Sequence, residues 1–149
     1  MDISNGEGVR VSLFVQGCRF RCPSCFNMDT WDFDGGKPWS KTVEDTFINL
    51  GKQEHIQGYS ILGGECLDPV NLQEVTKLCK RIKEETGKSI WLWSGYTFED
   101  YISKLEIVNY IDVLIDGQFV QDLADMNLKW RGSSNQKVWR KKFDVFREE

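Results

Sequence analysis

Four short apolar runs are spaced along the chain and have the pattern of buried strands. Val9–Val15 first alternates between apolar and polar residues and then becomes continuously apolar, as a strand does when it enters a buried sheet. Gly58–Leu62 and Ser89–Trp93 are two further runs, and a fourth surrounds Asp112–Ile115. The pattern therefore predicts four strands.

Between these strands, apolar residues recur every three or four positions, which is typical of helices. A first helix is predicted to begin near Ser40 or Thr42, because Thr42 and Asp45 have the spacing of a capping box. Its predicted buried residues are Val43, Phe47 and Leu50. Val70–Thr86 carries the clearest helical pattern, and Gly87 ends it. A third helix is predicted to contain Phe98, Tyr101, Ile102 and Leu105.

Strands that alternate with helices form right-handed βαβ units, so the fold class is predicted to be α/β with a parallel sheet. At 149 residues the chain has the size of a single domain, residues 1–149. Residues 27–41 carry turn residues instead of either period and are predicted to form an irregular loop. Residues 137–149 are rich in charge and are predicted to be a solvated C-terminal tail.

The composition is that of a globular protein, with 40% hydrophobic and 28% charged residues. A net charge of −4 gives no general attraction to nucleic acid or to an anionic membrane. The first residues lack the pattern of a signal peptide, and no apolar run reaches the ~18 residues of a membrane span. Five cysteines, an odd number, argue against a disulfide framework and for thiols kept reduced. We therefore expect a cytoplasmic protein.

Glycine and polar residues follow the carboxyl end of each predicted strand. These segments are Cys18–Cys25, Gly63–Glu65, Ser94–Tyr96 and Asp116-Gly117. The carboxyl ends of parallel strands share one edge of a sheet, where α/β proteins place their sites. We therefore expect the four segments to converge on one site, although a glycine also ends a strand without any function.

Cys18, Cys22 and Cys25 form a C-x3-C-x2-C motif in the first of these segments. Three thiolates in one loop can bind one metal centre, and three protein ligands leave one coordination position open for chemistry. A zinc site, a disulfide or simple burial of the thiols are the alternatives.

The cysteine spacing resembles that of the radical S-adenosylmethionine (SAM) enzymes. Longer sequence segments resemble those of one family among these enzymes. The matching segments are LFVQGC at 13–18, Phe26-Asn27, Thr30-Trp31, GGE at 63–65, IWLWSGYT at 90–97, DVLIDGQFVQDL at 112–123 and WRGSSNQ at 130–136. Over nearly its whole length the sequence resembles the activating proteins of anaerobic (class III) ribonucleotide reductases, which are small radical SAM enzymes.

This resemblance implies a [4Fe–4S] cluster with three of its irons held by Cys18, Cys22 and Cys25 and the fourth iron bound to SAM. It also implies an incomplete, open (β/α) barrel of the radical SAM type. In that family the reduced cluster cleaves SAM to methionine and a 5′-deoxyadenosyl radical, which generates a glycyl radical on the reductase. The implied partners are the catalytic subunit of the anaerobic reductase and a low-potential, flavodoxin-like electron donor.

The same resemblance implies which residues contact SAM. Gly63 and Gly64 would admit its methionine part, and Glu65 would pair with its ammonium group, although an acid here also suits a helix N-terminus. Beside the nucleoside part, the resemblance places Ser24, Cys25 and Phe26. Further polar contacts are expected from Ser94, Tyr96 and Asp116. Arg131–Gln136 would bind either SAM or the reductase.

Four further residues each have an expected role or place. Cys66 stands where the family usually has proline, and we expect it to be an unliganded thiol because a fourth ligand would block the open iron. Ser24 replaces a common glycine, which is a small change. Cys79 lies on the apolar face of the second helix and is expected in the core. His55, the only histidine, is expected to have a surface or structural role instead of a catalytic one.

Three other functions share part of this pattern. An activase of a different glycyl-radical enzyme would use the same chemistry, but the WRGSSNQ segment argues against it. A non-catalytic zinc or iron–sulfur binding module, for example for nucleic acid, would need a fourth close ligand and a basic face. A thiol oxidoreductase would need only a C-x2-C pair, with Cys18 dispensable.

Overall fold

The computed structural model describes residues 2–17 and 39–149. Within them the two α-helices are α1 (Lys41–Gly51) and α2 (Pro69–Thr86). The strands are β1 (Arg10–Val15), β2 (Gly58–Gly63), β3 (Ser89–Trp93), β4 (Val113–Asp116), β5 (Lys137–Lys142) and β6 (Val145–Glu148). Short 3-10 helices cover Ile102–Lys104, Glu106–Asn109 and Gln121–Leu123. None of the helices in these ranges combines the length and the apolar composition that crossing a membrane requires.

The six strands form one mixed sheet in the order β1-β2-β3-β4-β5-β6. β1 to β4 are parallel to one another, whereas β5 and β6 are antiparallel to their neighbours. The α/β class is confirmed, but the prediction of a parallel sheet is wrong for β5 and β6. The chain returns beside the end of β4, where Gln136 Nε2 donates to the carbonyl oxygen of Gly117 at 2.9 Å. A return at the same edge needs no crossover and pairs the strands antiparallel.

Residues 137–149 belong to the sheet, which corrects the prediction of a solvated tail. Trp139 packs against Phe98, with ring centroids 4.7 Å apart. The charged neighbours lie over aromatic rings, and the guanidinium of Arg140 is 5.4 Å from the ring centroid of Trp91. Their aliphatic stems cover apolar surface while the charges stay in water. A segment rich in charge can therefore still be a strand.

Both α-helices pack on one face of the sheet, which we call the helix face and which holds the largest core. α2 contributes to this core Val75, Leu78, Cys79 and Ile82. The sheet contributes to it, among others, Tyr59, Ile61, Ile90, Leu92 and Leu114. Cys79 is fully buried, as predicted, and its burial raises the pKa of the thiol. Gly87 ends α2 in the left-handed conformation, with φ of 67°.

α1 follows its N-cap Ser40, whose hydroxyl oxygen accepts a hydrogen bond from the backbone N of Val43 at 3.2 Å. Its buried residues are Phe47, Ile48 and Gly51. Val43 and Leu50 are 43% and 40% exposed, so the prediction that they are buried is wrong. Gly51 lies so close to the ring of Tyr59 that a side chain would not fit, and this contact turns the buried face of α1 toward Gly51.

The third predicted helix is absent, since 98–105 contains turns and the 3-10 helix Ile102–Lys104. Leu105 has extended backbone angles, φ of −93° and ψ of 147°, which separate this turn from the next 3-10 helix. The apolar spacing nevertheless identified a core position, because Ile102 is fully buried. The pattern therefore located the buried side but not the backbone conformation.

Neither α-helix lies on the opposite face, which we call the cleft face. Near the amino ends of the strands, this face is filled by Arg10, which is 1% exposed. Its guanidinium donates to Ser60 Oγ at 2.9 Å and to the carbonyl oxygens of Tyr59 and Ser89, each at 3.0 Å. Burial lowers the pKa of Arg10 to about 10, so it remains charged at neutral pH. Near the carboxyl ends of the strands, the same face opens into a cleft.

Candidate functional site

The cleft has a volume of about 490 Å³ and lies at the carboxyl ends of the four parallel strands. Its floor takes one apolar side chain from each of these strands, namely Phe14, Leu62, Trp93 and Ile115. Its rim includes Gly63, Gly64, Glu65, Ser94, Gly95 and Gly117. Three of the four predicted segments therefore meet at one site, and the fourth, Cys18–Cys25, lies outside the described residues.

The close packing of β1 against Gly63 leaves no room for a side chain at this rim position. Its φ is +113°, and a Cβ at this position would lie 2.6 Å from the backbone N of Val15. The next residue, Gly64, donates its backbone N–H to the carbonyl oxygen of Val15 at 2.7 Å. The close approach of β1 thus explains a glycine here even without a ligand, in addition to the predicted access for SAM.

Glu65 carries a buried carboxylate that joins two of the rim segments. Its side chain is 2% exposed, and Oε2 accepts hydrogen bonds from the backbone N of Leu67 at 2.9 Å and from Ser94 Oγ at 2.7 Å. Oε1 accepts from the backbone N of Gly95 at 2.6 Å. Burial raises the pKa of Glu65 to about 6, and the three hydrogen bonds oppose this rise. Because a carboxylate has about four acceptor positions, one remains for a ligand.

Ser94 lines the cleft, whereas Tyr96 is not among the lining residues. Besides donating to Glu65, the hydroxyl of Ser94 accepts a hydrogen bond from the backbone N of Tyr96 at 3.1 Å. The ring of Tyr96 packs against Tyr101 with centroids 4.3 Å apart and adjoins the helix-face core. The structure thus gives Tyr96 a packing role, and its contact with SAM stays a prediction.

Asp116 lies at the end of β4 but does not line the cleft, although its neighbours Ile115 and Gly117 do. Its carboxylate is buried, accepts a hydrogen bond from the backbone N of Phe98 at 2.7 Å and has a pKa raised by that burial. Side chains alternate between the two faces of a strand, so Asp116 points away from the face of Ile115. Its observed role is to hold the turn at Phe98, and a contact with SAM stays a prediction.

Residues 118–136, which we call the wall segment, form one side of the cleft. Gln136 fixes this segment, because its Nε2 binds the carbonyl oxygen of Gly117 and its Oε1 accepts from the backbone N atoms of Gly132 and Ser133 at 2.9 and 3.1 Å. From the predicted loop Arg131–Gln136, the residues that line the cleft are Arg131, Gly132 and Gln136.

Other cleft residues of the wall segment were not singled out from the sequence, namely Gln118, Phe119, Leu128 and Trp130. Gln118 and Phe119 directly follow Gly117, so the rule that selected residues at strand ends could have selected them. Trp130 begins the WRGSSNQ segment that carried the resemblance. Leu128 has no comparable signal, because only the folding of the wall segment brings it to the cleft.

The cysteine loop and its neighbours lie outside the described residues, and this applies to Cys18, Cys22, Ser24, Cys25 and Phe26. The chain nevertheless enters this loop at the cleft, since the carbonyl oxygen of Gly17 accepts a hydrogen bond from the backbone N of Glu65 at 2.6 Å. In residues 2–17 and 39–149, no group of three His, Cys, Asp or Glu residues is placed to hold a metal ion. The C-x3-C-x2-C motif thus remains the predicted metal site.

Cys66 and His55 lie in different environments. Cys66 is fully buried in the helix-face core, and its lack of a metal bond stays a prediction. His55 is exposed, which agrees with the surface role among the two expected for it.

The described residues fit a small ligand that combines an ammonium group with an apolar or aromatic part. Glu65 offers an ionisable oxygen at the rim, and the glycines leave backbone accessible to a ligand. Phe14 and Trp93 present aromatic surface on the floor, and the volume lies in the range of small-molecule sites. SAM has both kinds of group.

Comparison with known proteins places the chain in a family. Residues 4–139 match a family described as a 4Fe-4S single cluster domain. The chain is 46% identical over 142 residues to the anaerobic ribonucleoside-triphosphate reductase-activating protein of Escherichia coli K12, an alignment that covers 93% of this chain and 92% of the relative. The protein of the same name from Vibrio cholerae is 42% identical over 144 residues, covering 94% and 93% of the two chains.

The corresponding protein of Enterobacteria phage T4 is 43% identical over 140 residues, covering 93% of this chain and 88% of the relative. These identities extend over nearly the full length of both partners in each alignment. The chain therefore belongs to the family of anaerobic ribonucleoside-triphosphate reductase-activating proteins.

Proposed function

We propose that the protein is a radical SAM activase that cleaves SAM reductively at a [4Fe–4S] cluster and generates a glycyl radical on anaerobic ribonucleotide reductase. The observation that carries this proposal is the position of Glu65. Its carboxylate is buried at the rim of an apolar cleft, and its backbone N–H donates to the carbonyl oxygen of Gly17 at the entry to the cysteine loop. A metal centre with an open position would then lie beside a site for a small ligand. When bound, the cluster supplies the low-potential electron for cleavage of SAM.

The chain's own residues would bind and orient these groups. The cluster would be held by the thiolates of Cys18, Cys22 and Cys25. Glu65, oriented by Ser94 and Gly95, would accept a hydrogen bond from the ammonium group of SAM. The apolar floor would exclude water from the reacting part of the ligand.

The strand order supports an incomplete, open barrel. β1 to β4 follow one another across the sheet with both α-helices on one face, which is the winding of a (β/α) barrel, and four parallel strands are too few to close one. We propose that the open side admits the glycine-bearing segment of the reductase, the partner that the names of the relatives identify. A flavodoxin-like protein of the cytoplasm would supply the electron.

Anaerobic reconstitution with iron and sulfide, followed by reduction and addition of SAM, tests the cleavage step. We expect 5′-deoxyadenosine from the wild-type protein and none from Cys18→Ala, Cys22→Ala or Cys25→Ala. Cys79→Ala is the matched control, because it removes a buried thiol from α2, outside the cleft, and should keep both cluster and product. A cluster-loaded wild type that forms no product, with or without the reductase, would contradict the proposal. A colourless protein that carries one zinc would favour the binding module.

Electron paramagnetic resonance tests the partner. After the reduced protein and SAM are mixed with the anaerobic reductase, we expect a glycyl-radical signal on the reductase. A signal that forms only on a different glycyl-radical enzyme would instead support the alternative activase.

A further inference from the structure

Two ionisable side chains line the cleft among the described residues, and they carry opposite charges. Glu65 follows β2, whereas Arg131 belongs to the wall segment that Gln136 fixes to the end of β4. Since β3 lies between β2 and β4, the two points of attachment are about 10 Å apart, or two strand spacings. The cleft thus presents an anion and a cation to one bound molecule.

Arg131 is oriented by the fold rather than by a carboxylate. Its Nη1 donates to the carbonyl oxygen of Gln136 at 2.6 Å, and the amide of Gln136 closes the loop around Gly132 and Ser133. In the part of the chain that the structure describes, no carboxylate lies within ion-pair distance of Arg131. A guanidinium has five N–H donors in a planar fork, so this arrangement leaves donors for a ligand.

The backbone just before Arg131 is strained, as it often is at functional positions. Trp130 has φ of 67°, a left-handed conformation that a bulky side chain rarely adopts. This conformation is held by Trp93, whose Nε1 donates to the carbonyl oxygen of Trp130 at 2.6 Å, and by Trp91, whose ring lies 5.2 Å from that of Trp130. These contacts fix the backbone of Trp130 and therefore the position of the Arg131 Cα atom that follows it.

We propose that Arg131 binds the carboxylate of the methionine part of SAM. With Glu65 on the ammonium group, the cleft would then recognise both charges of an α-amino acid. A planar guanidinium suits a carboxylate because it can donate two parallel hydrogen bonds. This inference rests on the proposed function and assigns Arg131 to SAM, not to an acidic group of the reductase.

Equilibrium binding of SAM and of decarboxylated SAM to the cluster-loaded, oxidised protein, without reductase, tests this assignment. The wild type should bind SAM about 10- to 100-fold more tightly than decarboxylated SAM, as expected for a charge-assisted hydrogen bond. Arg131→Gln should weaken SAM binding by a similar factor and leave the binding of decarboxylated SAM nearly unchanged, so that the difference between the two ligands becomes smaller, while Arg131→Lys should recover part of the difference. Lys129→Gln is the matched control, because Lys129 is exposed and does not line the cleft.

Comparison of the two ligands across these variants separates the possible outcomes. If Arg131→Gln weakens the binding of both ligands equally, Arg131 has a structural role and the assignment is overturned. A wild type that binds the two ligands with equal affinity would overturn it as well. Unchanged SAM binding together with lost activation of the reductase would move Arg131 to the partner interface and equally overturn it. Failure of the proposed function itself would look different, because the cluster-loaded wild type would then not bind SAM at all.

Discussion

Burial and hydrogen bonding act in opposite directions on the ionisation of Glu65. Removal from water raises the pKa, while the hydrogen bonds from Gly95, Leu67 and Ser94 lower it, and the result is about 6. Since this value exceeds the ordinary 4.5, the ligand-free chain loses stability as the pH rises from 4.5 through about 6 and the carboxylate ionises. An ammonium group bound beside Glu65 would offset that loss.

SAM affinity should therefore fall when the pH is lowered through the pKa of Glu65. The ionised fraction decreases about fourfold between about pH 7 and about pH 5.5, while the ammonium group of SAM stays charged. Equilibrium binding to the oxidised, cluster-loaded protein at several pH values would measure this change. Glu65→Gln should bind SAM more weakly at pH 7 and show no such dependence. An equally steep dependence in Glu65→Gln would show that another group titrates.

At the scale of elements, Gly63 and Gly87 both have positive φ but differ in their surroundings. A Cβ on Gly63 would lie 2.6 Å from the backbone N of Val15, whereas a Cβ on Gly87 would meet no atom within 4 Å. We expect Gly63→Ala to lower the free energy of unfolding by about 2 kcal/mol or more, and Gly87→Ala by about 1 kcal/mol. Urea unfolding of the two variants would measure the difference, and equal losses would show that the contact between β1 and β2 relaxes easily.

β5 pairs with β4 on one side and β6 on the other, so its removal should be far more damaging than the loss of a charged tail. Val113 and Ile115 of β4 pair with β5, and Arg140 of β5 covers Trp91. Exposing these apolar side chains costs roughly 1.5–3 kcal/mol each, against a typical total stability of about 5–15 kcal/mol. A chain that ends at residue 136 should not fold. Circular dichroism on heating would test this, with a chain that ends at residue 142 as the control, which should keep a cooperative transition at a lower Tm.

The pattern of apolar residues predicted those elements in which local and tertiary preferences agree. β3 and α2 have the predicted positions because a compact apolar run and a long amphipathic stretch each have one good conformation. β5 was missed because its charged side chains resemble a solvated tail, whereas its strand conformation depends on pairing with β4, which is distant in sequence. The helix predicted to contain Phe98 was wrong because the extended backbone of Leu105 divides that segment into turns and short 3-10 helices.

The rule that functional sites lie at strand ends predicted which segments form the rim of the cleft. It predicted less well which individual side chains face the cleft. It selected Glu65 and Ser94, which line the cleft and bind each other. It does not state which of two successive side chains faces the cleft, and Asp116 lies on the other side from Ile115 for that reason. The wall segment depends on contacts such as that between Gln136 and Gly117, which join residues distant in sequence and have no local pattern.

At the scale of the whole molecule, the sheet formed by the described residues has one face covered by α-helices and one face that holds the cleft. This asymmetry follows from the strand order, because the two helical connections between successive parallel strands place both α-helices of residues 2–17 and 39–149 on one side of the sheet. The two edges of the sheet offer few unpaired backbone groups to another chain. Asp2 forms a β-bridge with Arg10 beside β1, and β6 has only four residues, two of them charged. The cleft face is therefore the surface on which we expect a large partner to present its substrate segment.

The indole rings beneath and beside the cleft give the protein an intrinsic optical signal. Trp91 lies 6.0 Å from Trp93 and 5.2 Å from Trp130, measured between ring centroids, and Trp93 and Trp130 line the cleft. A ligand that displaces water from these rings should change their fluorescence. We expect SAM to shift the emission of the oxidised protein, with the shift reduced in Trp93→Phe and kept in Trp39→Phe, since Trp39 does not line the cleft. The opposite pattern would place the ligand elsewhere; the expected one would let emitted light report occupancy of the cleft without an added label.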